Sequence, residues 1–170
     1  RYEAKTSNVP RDSATYTTAI NAWARSREPD AVDRAEEILA WCEESYAMGN
    51  TYAKPNALTY NSLINCYSKS NTANAAEKAM GVLDLMKEKS KVEGFADCRP
   101  DVVTYTSVID ALAKQKSVEA GEKAICILNE LERAYEESQG DELLKPNVRT
   151  YTSVSLFTQK SAVYLIGSLY

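Results

Sequence analysis

Residues 100–114 read P-D-V-V-T-Y-T-S-V-I-D-A-L-A-K. A proline halts the segment before it, and Asp101 is a residue type that caps a helix. Val108, Ile109 and Leu112 then fall on one helical face. The same opening recurs along the chain: P-R-D-S-A-T-Y at 10–16, P-N-A-L-T-Y at 55–60 and P-N-V-R-T-Y at 146–151. Its tyrosines, Tyr16, Tyr60, Tyr105 and Tyr151, are 44, 45 and 46 residues apart. A near-constant period of this size marks an internal repeat. Asn56, Asp101 and Asn147 are placed to cap the helices that follow, and the apolar sets Ile20 with Trp23 and Leu63, Ile64 with Tyr67 keep the helical spacing.

A second helix follows in each unit. Its i, i+3, i+4, i+7 stripe is Ala35, Ile38, Leu39, Cys42, then Ala79, Val82, Leu83, Met86, then Ala124, Ile127, Leu128, Leu131. Its start signals are Pro29 with Asp30, Thr72, and Ser117. One helix pair cannot bury such a stripe, but stacked pairs can. The fold expected is all-α, an α-solenoid of stacked antiparallel helix pairs. Its units are 13–56, 57–101, 102–147 and a partial, divergent 148–170, with 1–12 as the end of a preceding unit. The stretches 43–54, 87–99 and 133–145, with Gly49, Gly94 and Gly140, make these units about ten residues longer than helix-pair repeats of roughly 35. They read as extra helical turns followed by mobile loops.

Composition removes several function classes. The chain has 170 residues and no histidine. Histidine-based catalytic triads and histidine metal sites are therefore excluded. Cys42, Cys66, Cys98 and Cys126 contain no C-x-x-C and are too few for a secreted disulfide scaffold, so they read as small buried residues or bystanders in a reducing compartment. No catalytic constellation, cofactor motif, metal site or small-molecule site is legible. No segment reaches the roughly 18 apolar residues of a membrane span. The chain opens on Arg1 and holds no targeting segment, so it reads as part of a longer array.

The net charge of −4 argues, taken whole, against nucleic acid. Divided by element, it does not. Nine residues after each tyrosine stands a cation: Arg25, Lys69, Lys114 and Lys160. The predicted first helices (15–27, 59–70, 104–116 and 150–161) hold these together with Arg27 and Lys116, against Asp110 alone. The rest of the chain is correspondingly acidic. One cation per repeat forms a ladder suited to a phosphate backbone.

The string P-[ND]-x-x-T-Y-[NT]-S-[LV]-I-[ND], followed by a helix with E-K-A, resembles the pentatricopeptide repeat family over three complete repeats and the first half of a fourth. The resemblance implies a right-handed superhelix that binds single-stranded RNA without catalysis of its own, one base per repeat. It implies base-reading pairs Thr17 with Asn56, Asn61 with Asp101 and Thr106 with Asn147, while Thr152 opens a fourth. By the family's pairing pattern these resemble readers of a 5′-A-U-A-3′ core followed by a purine. The resemblance gives Leu58 and Val103 a base-packing role; Ala14 and Arg149 depart from it. It assigns phosphate contact to Arg25, Lys69, Lys114 and Lys160, and places such proteins in mitochondria or chloroplasts, in RNA stability, processing, editing or translation. The alternative is a protein-binding scaffold of tetratricopeptide type, and protein partners could also use the long inter-repeat stretches. Any catalytic domain would lie outside this chain.

Overall fold

The computed structural model describes residues 11–26, 28–115 and 117–155. Among them the secondary structure is helical and no strand occurs. The helices are α1 (Ser13–Ser26), α2 (Ala31–Ala47), α3 (Ala57–Lys69), α4 (Ala75–Ser90), α5 (Val102–Ala113), α6 (Val118–Glu137) and α7, described over 148–155. The first helices α1, α3 and α5 pack side by side in sequence order. Each second helix packs on its own first helix, and α2 and α4 also meet the first helix of the next unit. This is an α-solenoid of helix pairs, as the periodicity requires.

The first helices begin at the predicted unit starts 13, 57, 102 and 148, two residues ahead of the ranges 15–27, 59–70, 104–116 and 150–161; in α3, α5 and α7 the cap follows the proline directly. Asn56 and Asp101 each accept the backbone N–H of a threonine three residues on, and that threonine's hydroxyl accepts the cap's own N–H. These reciprocal bonds satisfy amides that a helix start otherwise leaves open. Asn147 repeats the arrangement with Thr150. The second helices are capped less uniformly. Ser117 accepts the N–H of Ala120 as expected. Asp30 holds the N-cap position of α2 without a side-chain cap bond. The fourth helix begins at Ala75 with Asn74 at its N-cap, not at Thr72, whose backbone carbonyl receives the Ala75 N–H instead.

The predicted apolar stripes face inward. Ala35, Ile38, Leu39 and Cys42, then Ala79, Leu83 and Met86, then Ala124, Ile127 and Leu131 are buried, joined by Ile20, Ile64, Ile109 and Leu112 from the first helices. Burial of each large aliphatic side chain is worth about 1.5–3 kcal/mol, the main source of stability in such a stack. Three cysteines belong to this core; Cys126 is exposed on α6.

The lengthened stretches open with the extra helical turns expected of them, α2, α4 and α6 running on to Ala47, Ser90 and Glu137, and continue as defined turns where the sequence suggests loops. Each passes through a glycine with positive φ (Gly49, Gly94, Gly140) and then forms a single turn of 3-10 helix. These turns, Thr51–Ala53, Ala96–Cys98 and Glu142–Leu144, each bury their last residue. Successive stretches then bind one another. Lys54 Nζ reaches both carboxylate oxygens of Asp97 at 2.8 Å, and Arg99 pairs with Asp141 at 3.0 Å. Tyr46 meets Phe95 edge to face at 5.7 Å, with the Lys54 ammonium 5.1 Å from the Phe95 ring centre. Ion pairs this exposed contribute under about 1 kcal/mol each. Their regular repetition nevertheless makes a third row alongside the two rows of helices.

Candidate nucleic-acid interface

Each first helix carries chemistry at both ends. A 13-residue helix such as α3 is about 20 Å long, so its first and last turns are separate sites.

At the C-terminal ends, Arg25, Lys69 and Lys114 line one groove of about 880 Å³ with Trp23, Asn71 and Thr72. Glu28 is the single acid among the lining residues. Helix C-termini present unsatisfied carbonyls, which favours cations there. Lys114 donates to the Ser70 carbonyl at 3.4 Å, and partial burial holds its pKa below the ordinary lysine value against the opposing pull of Asp110. None of the three cations has an ion-pair partner among the described residues. Ten other described cations do: Arg34, Lys54, Lys78, Lys87, Lys89, Lys91, Arg99, Lys123, Lys145 and Arg149. The groove thus gathers positive charge that the fold leaves uncompensated. Lys160, Arg27 and Lys116 lie outside the described residues.

At the N-terminal ends, the residue after each tyrosine is turned into the junction with the next repeat. Thr17, Asn61 and Thr106 are 6%, 7% and 4% exposed, more enclosed than residues lining an open face, while Thr152 is exposed. The Asn61 amide donates to Asp101 Oδ1 at 3.2 Å and accepts from the Thr104 hydroxyl at 2.6 Å. The expected pair Asn61 and Asp101 is therefore in direct contact. The other two pairs are linked through one intervening residue. Thr17 Oγ1 lies 3.1 Å from Thr59 Oγ1, which is 3.3 Å from Asn56 Oδ1. Thr106 Oγ1 lies 2.8 Å from Thr150 Oγ1, which is 3.3 Å from Asn147 Oδ1. Leu58 and Val103 stand one turn away with 64% and 54% of their surfaces exposed, two of the dozen large apolar side chains exposed among the described residues. Ala14 is exposed but small. Arg149, at the equivalent position of α7, reaches back to Asp110 at 2.7 Å.

Some participants carried no sequence signal as strong as the tyrosine register. Asp12 accepts both the N–H and the hydroxyl of Thr15 and opens α1 as Asp101 opens α5. It was obscured because the first copy has one residue more between proline and tyrosine. A parallel row of bonds joins Asn21 to Ser62 at 2.9 Å and Ser153 to Asp110 at 2.6 Å. These are contacts across about one repeat period, which no local pattern announces.

The PPR repeat family model matches residues 55–114, and a PPR repeat model matches 103–134. Residues 55–134 of the chain are pentatricopeptide repeats. No curated protein and no solved structure matches the chain. Members of this family are generally RNA-binding and non-catalytic. The first matched span contains Asn56, Leu58, Asn61, Lys69, Asp101, Val103, Thr106 and Lys114 of this chain. Among its described residues no group of three or more acidic, cysteine or histidine side chains is placed to hold a metal ion, and no helix is long and apolar enough to cross a membrane.

Proposed function

We propose that this protein binds single-stranded RNA in a sequence-selective manner along its first helices, one base per repeat, within organelle RNA metabolism. The units 13–56, 57–101 and 102–147 each supply one reading position, and 148–170 begins another. The observation that carries this reading is the groove of unpaired cations Arg25, Lys69 and Lys114. Phosphates bind there, while bases meet Thr17 with Asn56, Asn61 with Asp101 and Thr106 with Asn147 at the opposite end of the same helices. Leu58 and Val103 offer apolar surface against which base faces pack. Single-stranded RNA suits this arrangement because its base edges are not already paired. The chain contributes recognition, and chemistry on the RNA comes from a domain or partner elsewhere. A mitochondrial or chloroplast setting follows the family resemblance.

Fluorescence anisotropy with labelled RNA tests the proposal. Affinity for a single strand containing A-U-A exceeds affinity for the corresponding duplex. With three phosphates neutralised, the log–log salt slope is about −2, from roughly −0.7 per contact on single strands. Reversing both Lys69 and Lys114 to Glu weakens all RNA sequences alike and flattens that slope. Equal binding of single strand and duplex, or indifference to the charge reversal, would sink the reading.

A further inference from the structure

We propose that Thr59, Thr104 and Thr150 are positioning residues for base reading, each setting which hydrogen-bonding edge the reader of the preceding repeat turns toward RNA. The inference rests on the reading above that Thr17, Asn61 and Thr106 address bases. Each of the three threonines is fully buried at the first turn of its helix. Each belongs to a capping arrangement with its own Asn or Asp. A capping role alone would leave the hydroxyl serving its own helix. Instead, all three hydroxyls also touch the reader of the repeat before.

Hydrogen accounting shows what each contact fixes. Asn61 can be placed with its amide either way round. In the observed placement its oxygen receives the Thr104 hydroxyl and its nitrogen donates to Asp101. The flipped amide would set its oxygen against the acceptor-only Asp101 carboxylate. Thr104 and Asp101 together therefore hold the amide in one orientation, with the second N–H of Asn61 left to donate to a base. At the first junction, Thr17 spends its single hydroxyl hydrogen on the Ser13 carbonyl at 2.7 Å. The single hydroxyl hydrogen of Thr59 has Thr17 at 3.1 Å and Asn56 Oδ1 at 3.3 Å within reach; directed at the nearer oxygen it keeps two lone pairs from facing each other, and Thr17 presents an acceptor lone pair. The same threonine position thus sets one reader as a donor and another as an acceptor. Buried polar groups with all partners supplied are rigid, and rigidity is what discrimination between base edges requires.

The test compares the full chain with Thr104→Val and Thr104→Ser, using labelled single strands that differ only in an A-U-A or A-C-A core. Valine keeps the shape of threonine and removes the hydroxyl. In Thr104→Val the preference for A-U-A over A-C-A falls by about tenfold, the net worth of one hydrogen bond, while A-C-A affinity stays within about twofold. Thr104→Ser restores the preference. If both cores weaken in parallel, Thr104 is a helix cap only and the inference is overturned; an unchanged preference overturns it as well. Should Thr104→Val fail to fold, Thr59→Val read with A-U-A against C-U-A gives the same two outcomes at the first base. A wild-type chain that binds A-U-A and A-C-A alike overturns the base-reading proposal itself, which separates that failure from this one.

Discussion

Cys42, Cys66 and Cys98 are buried with each thiol directed at a backbone carbonyl, those of Ala53, Ala31 and Pro55. Burial disfavours the thiolate at all three, and pushes Cys42 up to about 11. The thiolate is the reactive species. A maleimide reagent near neutral pH is therefore expected to modify Cys126 alone in the folded protein and all four cysteines in denaturant, which mass spectrometry resolves. Labelling of Cys42 at a comparable rate in the native state would contradict the packing described. The reading of the cysteines as small core residues holds for three of them: Cys42 and Cys66 lie on the inward faces of α2 and α3, and Cys98 is the buried last residue of a 3-10 turn. It does not hold for Cys126, which lies two residues past Ala124 and so a little over half a turn off the buried stripe. The junction threonines were legible only as part of the repeated Thr-Tyr, neither as capping partners nor as partners of Thr17, Asn61 and Thr106. Helical spacing describes neighbours within one helix, and those partners sit on another.

At the scale of elements, the caps make a comparison between helices that start alike in sequence and differently in space. Ser117 accepts the Ala120 N–H, whereas Asp30 occupies the same position before α2 with no side-chain cap bond and instead pairs with Arg34. Ser117→Ala should lower stability by about 1 kcal/mol, and Asp30→Ala by only a few tenths, in urea unfolding. Equal losses would mean that Asp30 caps in solution after all. The first helices were readable because proline, cap and tyrosine stand at fixed offsets. The start of α4 was not, since Asn71, Thr72 and Asn74 all offer a capping side chain and Asn74 takes the position without a side-chain cap bond. The lengthened stretches misled for a different reason. Glycine and charge locally resemble a solvated loop, while the order comes from Lys54 to Asp97 and Arg99 to Asp141, contacts more than forty residues apart.

Across the whole molecule, burial raises the pKa of Tyr60, Tyr67 and Tyr105 along with the three enclosed thiols. The ordinary values are 9.0 for the thiols and 10.0 for the phenols. Below those values both folded and unfolded chains keep their protons, and stability is unaffected. Above them the unfolded chain ionises first, so unfolding gains as pH rises. The urea midpoint should hold steady to about pH 9 and fall steadily beyond it; a midpoint flat to pH 11 would show these groups to be solvated in the folded state. The row formed by the lengthened stretches has a mechanical consequence. Its rungs tie successive repeats together beside the N-terminal ends of the first helices. At the cation end Lys114 reaches Ser70 at 3.4 Å and Gln115 reaches Ala73 at 3.3 Å, while Lys78 and Tyr67 both bind Glu36 of the preceding unit, at 2.6 and 2.8 Å. A stack fastened along both rims resembles a book sewn at head and tail: its leaves keep their order, and their spacing is set from two sides.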